Sequence, residues 1–273
     1  MTLTVTDSDG GVATDTLVVT VNNAAPVVTA GPDATVNEGS AFASSGSFTD
    51  PGSDAWTATV DYGDGTGAQA LALNSDKTFA LNHTYADNGT YTVTVTVRDD
   101  DGGTGSDTAT VTVRNVAPVV DAGPDQTVTQ GTAITVSGTF TDVGSRDTHT
   151  ASINWGDGNV EAGTVTESGG NGTVSRSHTY AAAGQYTVTV TVTDDDGGSG
   201  TDTLRATVNT ATARVCDVNR DGSVNILDIN LITAARNQRT TSGDPRDSDG
   251  DGVITVLDAR KCVLSCDKPN CAQ

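Results

Sequence analysis

The sequence predicts a mainly β protein in which similar antiparallel sandwiches follow one another and a small helical module ends the chain. The first observation is a strict alternation of apolar and hydroxyl side chains from Tyr91 to Val97 and from Tyr186 to Val192. Period two is the pattern of a strand with one buried face. The second observation is that motifs recur along the chain. The third is a pair of acidic twelve-residue segments, each followed by helical periodicity.

The recurring motifs define a repeat of domain size. His-Thr-Tyr, for example, is found at 83–85 and again at 178–180. Each copy contains several short alternating strands separated by turns rich in Gly, Ser and Asn, which predicts an immunoglobulin-like antiparallel sandwich. We therefore expect two complete sandwiches, at residues 24–115 and 116–209.

Residues 1–23 match only the last third of a copy, because the segment at 4–11 corresponds to the segment at 96–103. Two strands alone cannot bury a sandwich core. We interpret these residues as the C-terminal strands of a truncated domain, loosely ordered or paired with an available sheet edge. The missing N-terminal part is where a signal peptide and any catalytic domain would lie.

One acidic pattern occurs in the partial copy and in both complete copies. Its members are Asp7, Asp9 and Asp15, then Asp99, Asp101 and Asp107, then Asp194, Asp196 and Asp202. Carboxylates on both arms of one hairpin could clamp an extra calcium ion at the end of a domain. We favour a solvated hairpin copied by duplication, because recurrence within a duplicated chain shows ancestry more readily than use.

The two acidic segments near the C-terminus fit the template of a calcium loop. Such a loop takes oxygen ligands from positions 1, 3, 5, 7, 9 and 12 and has Gly at position 6. Mutual repulsion of the converging carboxylates predicts that this tail needs two calcium ions to fold. The predicted ligands are Asp217, Asn219, Asp221, the Ser223 carbonyl, Asn225 and Asp228 in the first loop, and Asp247, Asp249, Asp251, the Val253 carbonyl, Thr255 and Asp258 in the second.

A helical period follows each loop, at 227–236 and 257–266, whereas the stretch before each loop lacks one. Residues 214–273, after a linker at 210–213, are therefore a paired half-EF-hand module. This duplicated half-hand with Asp at position 12 resembles the dockerin module, of the type I-like kind. The resemblance implies calcium-dependent docking to a cohesin-like protein module.

Four aliphatic residues occupy loop positions 10 and 11, which reach the partner in the dockerins that this tail resembles. They are Ile226, Leu227, Val256 and Leu257. Dockerins often have small hydroxylated residues there, so the departure leaves the partner's identity open. The quartet is either a dry partner-binding patch or the module's own core, which a short module needs.

All the cysteines lie in the tail, at Cys216, Cys262, Cys266 and Cys271. An even count in a small domain predicts disulfides and an oxidising compartment. A bridge between Cys262 and Cys266 would join neighbours within one helix, which is geometrically awkward. We expect Cys216 to bridge to the second helix and Cys271 to close the tail, with a four-thiolate zinc site as the alternative.

The charge of the chain excludes two classes of partner. Lys and Arg number 14 against 35 Asp and Glu, which gives a formal charge of −21. Nucleic acid and anionic membrane surfaces both require a basic surface, so neither is an expected partner. No apolar run reaches the roughly 18 residues of a membrane span.

Two turn motifs add to the evidence of the repeats. Asp-Tyr-Gly-Asp-Gly-Thr at 61–66 and Asn-Trp-Gly-Asp-Gly-Asn at 154–159, with the His-Thr-Tyr turns and Tyr-Thr-Val runs, resemble the PKD (polycystic kidney disease) domain over residues 1–209. The resemblance implies an extracellular, bacterial spacer, secreted or at the cell surface, or an aid to engaging insoluble polysaccharide. Tyr62 and Trp155 are most simply core aromatics, with carbohydrate stacking as the alternative.

We predict no catalytic activity, because no catalytic constellation is present. His83 and His178 occupy equivalent repeat positions, and His149 aligns with Trp56. The predicted function is a non-catalytic extracellular assembly region, part of a secreted polysaccharide- or protein-degrading enzyme, with sandwich spacers and a docking tail. The alternatives are a structural stalk or adhesin with calcium-stiffened modules, and a polysaccharide-binding accessory region.

Overall fold

The structure is a computed structural model and describes residues 1–210, 214–268 and 271. Residues 211–213 of the predicted linker, and 269, 270, 272 and 273 of the predicted tail module, lie outside the described residues. The chain divides into two compact units, one of Met1–Pro124, Thr135–Ser177 and Thr187–Leu204 and the other of Asp125–Ile134, His178–Tyr186 and Arg205–Gln273.

The first segment forms a hairpin of its own. Strand β1 (Thr2–Thr6) pairs antiparallel with β2 (Val12–Thr16) in a two-stranded sheet. Every residue from 1 to 25 is exposed, because two strands have no second layer against which to bury a face.

The first complete repeat is a sandwich of two sheets. The five-stranded sheet has the order β4-β10-β9-β6-β7, and the three-stranded sheet has the order β3-β5-β8. Alternation along β9 directs Val93, Val95 and Val97 into the core. The strands are β3 (Val27–Thr29), β4 (Ala34–Asn37), β5 (Ala41–Thr49), β6 (Trp56–Asp61), β7 (Gln69–Leu71), β8 (Thr78–Thr84), β9 (Gly89–Asp99) and β10 (Thr104–Arg114).

The second complete repeat joins its strands into one eight-stranded sheet, in the order β11-β13-β16-β15-β14-β17-β18-β12. The long β15 pairs with β14 at its start and with β16 at its end, with Gly163 at the change of partner. Glycine is typical of such a strand corner. The strands are β11 (Val119–Asp121), β12 (Gln126–Thr129), β13 (Ala133–Thr141), β14 (His149–Asn154), β15 (Val160–Ser168), β16 (Asn171–Thr179), β17 (Gly184–Asp194) and β18 (Ser199–Asn209).

The tail contains two short helices, α1 (Ile226–Ala234) and α2 (Val256–Val263). Both begin one residue before the predicted position and end earlier. Asn237, just beyond α1, has a left-handed φ of 69°, which cannot continue a helix. The predicted fold class is confirmed: the chain is mainly β, with immunoglobulin-like sandwiches in tandem and two small C-terminal helices. Among the described residues, neither helix has the length and apolar character to cross a membrane.

The turn aromatics of both repeats are core residues. Tyr62 is 4% exposed and Trp155 is fully buried, so neither ring offers a face to a sugar. In the first repeat, His83 stacks on Tyr62 and its Nε2 lies 2.8 Å from Asp64 Oδ2. Burial acts to raise the pKa of Asp64, but hydrogen bonds from Thr66 and His83 outweigh it and lower this pKa from 3.8 to about 2.

A depressed carboxyl pKa contributes stability that is present above pH 3.8 and lost as the pH falls through about 2. We expect Asp64→Asn to lower the free energy of unfolding of the first repeat by about 2 kcal/mol at neutral pH. The variant should also lose less stability than the wild type as the pH falls through this window. Urea unfolding across a pH series, followed by tryptophan fluorescence, measures both effects. An unchanged acid dependence would contradict the assigned role of Asp64.

Candidate functional site

The first acidic loop converges on the buried carboxylate of Asp228. Its Oδ1 accepts hydrogen bonds from the backbone N–H groups of Val218 (2.8 Å) and Asn219 (3.1 Å). Oxygens of Asp217, Asp221 and Asp228 lie within 4.8 Å of one another. The loop therefore gathers three of its predicted ligands around one point.

The second acidic loop repeats this geometry. Asp258 Oδ1 accepts from the backbone N–H groups of Ser248 (2.7 Å) and Asp249 (3.2 Å), the residues equivalent to Val218 and Asn219. Asp247 Oδ2 accepts from Gly252 N–H at 2.8 Å, and Asp217 Oδ2 accepts from Gly222 N–H at 3.0 Å in the first loop. The two glycines have φ of +86° and +85°, a conformation that a side chain would strain.

Position 9 of each loop also caps the following helix. Asn225 Oδ1 accepts from Leu227 N–H (2.8 Å), and Thr255 Oγ1 accepts from Leu257 N–H (3.1 Å). Asp228 and Asp258 accept in return from the backbone N–H groups of the two capping residues, which completes a capping box in each helix. The Asn/Thr-x-x-Asp pattern was a signal for these caps that the sequence analysis did not use.

Hydrogen bonding lowers the pKa of one carboxylate in each loop. Bonds from Ser223 N–H and the Asn219 side chain lower the pKa of Asp221. Burial acts to raise the pKa of Asp258, but the bonds from Thr255, Asp249 and Ser248 outweigh it, so this pKa is also lowered. Ionised, oxygen-only donor sets suit calcium rather than zinc or copper. The residues present therefore fit a calcium ion in each loop.

The backbone at loop position 8 is held by partners that the sequence did not indicate. Val224 N–H donates to the Asp267 carboxylate, and Asp267 N–H donates to the Val224 carbonyl at 3.0 Å. Arg214 pairs with Asp267 at 2.8 Å. In the second loop, Ile254 exchanges backbone hydrogen bonds with Asn237 and Gln238. Each loop is therefore braced by the segment that follows the helix of the other loop.

All four cysteines form disulfides, Cys216–Cys262 and Cys266–Cys271. The predicted bridge from Cys216 to the second helix is present, and the zinc alternative is excluded because no thiol is free. Cys216 and Cys262 are buried in the small core with Val224, Ile232 and Ile254.

The predicted partner quartet lies outside this core. Ile226 is 38% exposed, Leu227 43%, Val256 62% and Leu257 59%. Each pair occupies the first turn of its helix, where the capping box directs Asp228 and Asp258 inward instead. The interpretation of the quartet as the module's own core is therefore wrong.

The Asp-rich hairpins place their carboxylates at separate points. Asp107 lies opposite Val95 in the β9–β10 register, four residue steps (about 13 Å) from Asp99. Asp107 Oδ2 instead accepts from Ala30 N–H at 2.8 Å, and Asp202 Oδ2 from Ala122 N–H at 2.9 Å. The two arms of each hairpin thus do not converge on one ion.

The histidine and tryptophan that align between repeats share a structural role. Trp56 Nε1 donates to Asp50 Oδ2 at 2.9 Å, and His149 Nε2 lies 3.2 Å from Asp142 Oδ2 at the equivalent position. His149 has no exposed side-chain surface with which to reach a substrate.

The two disulfides differ in the length of chain that they close, with sequence separations of 46 and 5. Loop-closure entropy predicts that replacing Cys216 and Cys262 by Ser costs the tail about 4 kcal/mol, and replacing Cys266 and Cys271 by Ser about 2 kcal/mol. Thermal unfolding of the two double variants, followed by far-UV circular dichroism, measures the difference. Equal losses of stability would contradict the expectation that the Cys216–Cys262 disulfide, which closes the longer segment, stabilises the tail more.

Comparison with known proteins gives one family match. A family model described as "PKD domain" matches residues 23–114 and 115–208. A search of curated proteins finds no match.

Two solved structures illustrate what the chain is similar to. The PKD domain of an M14-like peptidase from Thermoplasmatales archaeon SCGC AB-540-F20 is 29% identical, covers 35% of this chain and 99% of that chain, and has a TM-score of 0.30. The titin domains Z1Z2 in complex with telethonin are 16% identical, with coverages of 70% and 98% and a TM-score of 0.36. With TM-scores this low, the family model carries the assignment.

Proposed function

Because the chain belongs to the PKD domain family across residues 23–114 and 115–208, we propose that it is a non-catalytic extracellular spacer whose tail docks it, with calcium, onto a cohesin-like partner. The observation that carries the docking proposal is the tail's internal symmetry. The two loops have matching hydrogen bonds to Asp228 and Asp258, and each presents an exposed apolar pair. In the first loop, oxygens of three carboxylates converge.

The sandwiches support the spacer role. Tandem PKD domains are non-catalytic, and their large side chains, including Tyr85, Tyr180 and Trp155, fill their own cores. Burial of the turn aromatics removes the obvious platform for a polysaccharide. The disulfides are consistent with an extracellular location for the parent protein.

Calcium supplies the positive charge that balances the acidic side chains of each loop. Asp217, Asp221 and Asp228 would hold one ion, and Asp247, Asp251 and Asp258 the second. Removal of the ions leaves carboxylates a few ångströms apart, whose repulsion is about 4 kcal/mol per close pair at an effective dielectric near 20. Because Asp228 and Asp258 also cap the helices, loss of calcium should unwind α1 and α2.

Replacement of Asp217 and Asp247 by Asn should lower the number of calcium ions bound by the intact chain by about two. The substitutions remove one charged ligand from position 1 of each loop while leaving the sandwiches untouched. Isothermal titration of chelator-stripped protein counts the ions, and far-UV circular dichroism follows the helices. Asp244→Asn, whose carboxylate pairs with Arg246, is the matched control and should bind as the wild type does. Unaltered stoichiometry in the double loop variant would rule out calcium binding by the loops.

The exposed quartet supplies a docking surface for a partner with a complementary apolar face. Ile226 and Leu227 on α1 correspond to Val256 and Leu257 on α2. Aliphatic side chains at both sites favour a dry interface, because their burial in a partner gains roughly 25 cal/mol per Å². An interface of this kind would depend on calcium, since the ions hold the first turns of both helices.

Binding of the intact chain to a panel of recombinant cohesin modules should occur in calcium and be abolished by excess chelator. Leu227→Asp with Leu257→Asp should reduce the affinity at least about a hundredfold, because two carboxylates enter an apolar interface. Leu264→Asp, at a residue that is 86% exposed beyond α2, is the control and should bind normally. Surface plasmon resonance measures the affinity of the wild type, the double variant and the control variant. Calcium binding without attachment to any cohesin would favour a structural stalk instead.

A further inference from the structure

A buried acidic cluster lies where the first complete repeat meets the second. Glu38 follows β4, Asp87 lies between β8 and β9, and Asp147 lies between β13 and β14. One carboxylate oxygen of each residue lies within 4.8 Å of the other two. All three residues belong to the first compact unit, where the Arg146 N–H also donates to the Ala86 carbonyl at 3.3 Å.

Buried oxygens of this cluster lack hydrogen-bond donors. Glu38 is 1% exposed, and its Oε1 accepts from Val116 N–H at 2.6 Å while Oε2 has no partner among the described residues. Asp147 is 7% exposed, and neither of its Oδ atoms has a partner in the described part of the chain. An orphaned buried carboxylate costs several kcal/mol unless a proton or a cation compensates it.

Carboxylates make up the electrostatic surroundings of Asp147. Burial, then Glu38, Asp142, Asp87 and Asp195, raise the pKa of Asp147 to about 7. In the described chain, no Lys or Arg forms an ion pair with any member of the cluster. Arg146 is next to Asp147 in the chain, but no ion pair among the described residues neutralises the cluster.

We propose that a calcium ion binds between the repeats, held by Glu38 and Asp87 of the first repeat and Asp147 of the second. The donors are all oxygens, as calcium requires. The three oxygens lie within 4.8 Å of one another, close enough for all of them to reach one calcium ion at about 2.4 Å. An ion shared by two sandwiches would stiffen the joint between them.

The second repeat offers an internal comparison. Gln130 and Ala182 occupy its positions equivalent to Glu38 and Asp87. The equivalence holds in the backbone, because Gly39 N–H donates to the Tyr85 carbonyl and Gly131 N–H to the Tyr180 carbonyl. The carboxylate pair is therefore present in the repeat that precedes another repeat, and absent from the repeat that precedes the helical module.

The carboxylate that the second repeat contributes, Asp147, has a counterpart in the first repeat. Asp54 of the first repeat corresponds to Asp147, and its Oδ2 is likewise buried without a partner among the described residues. Asp54 lies with Asp50 and Asp99, as Asp147 lies with Asp142 and Asp194. This pattern fits a metal site shared by successive repeats. Two carboxylates of one repeat and one carboxylate of the next repeat together form the site.

The test uses the intact chain with Asp217→Asn and Asp247→Asn, so that the result does not depend on the tail loops. Glu38→Gln with Asp87→Ala installs the side chains of the second repeat and should weaken binding at the joint at least about tenfold. Asp147→Asn should have the same effect, and Asp121→Asn, at the exposed end of β11, should have none. Isothermal titration with calcium compares the four proteins.

Terbium gives a second readout of the same site. The Tyr91 hydroxyl donates to the Asp87 carbonyl at 3.0 Å, so this ring lies beside the proposed ion. Residues 214–273 contain no Phe, Trp or Tyr, so terbium in the tail loops has no aromatic sensitiser within that module. We expect tyrosine-excited terbium emission that calcium displaces and that Glu38→Gln with Asp87→Ala greatly reduces.

Two results would overturn the proposal. One is calcium binding that is the same in all four proteins, which would mean that protons rather than an ion neutralise the cluster. The other is binding that Asp147→Asn removes but Glu38→Gln with Asp87→Ala leaves intact, which would place the ion within the second repeat alone. Near-UV circular dichroism of each variant verifies that the sandwiches remain folded.

Discussion

Compensation of closely spaced carboxylates is the constraint on which this structure depends. With a formal charge of −21, the chain has few cations to place beside its acidic groups. Several carboxylates accept hydrogen bonds from backbone N–H groups instead, as Asp64, Asp107 and Asp202 do. Where three carboxylates meet, these donors leave several negative charges close together, and this is where we propose that cations bind.

Acidic side chains have different roles in the sandwiches and in the tail. In a sandwich, alternating apolar side chains form the core, and acidic side chains accept hydrogen bonds from backbone N–H groups of neighbouring segments. These contacts hold the fold together without an ion. The tail has a core of little more than Val224, Ile232, Ile254 and a disulfide, which is small for an independent domain. Asp228 and Asp258, the proposed calcium ligands, also complete the capping boxes of the two helices, which would couple ion binding to the shape of the proposed docking surface.

Most of the fold could be predicted from the sequence, because residues close together in the chain determine the strands and the loops. The alternation from Tyr91 to Val97 fixes which face of β9 is buried, and the loop template places Asp217 and Asp228 together within one dodecad. The exposure of Leu227 and Leu257 could not be predicted, since helical periodicity alone does not say which face finds a core. The cluster of Glu38 and Asp147 was missed because tertiary structure, not sequence spacing, brings its members together.

The most direct measurement is the helicity of the chelator-stripped chain, with its disulfides intact, as calcium is added. The account predicts that far-UV circular dichroism gains helical signal in step with the binding of about two ions to the tail. A tail that is equally helical in excess chelator would contradict the claim that metal coordination turns a self-repelling segment into a docking unit.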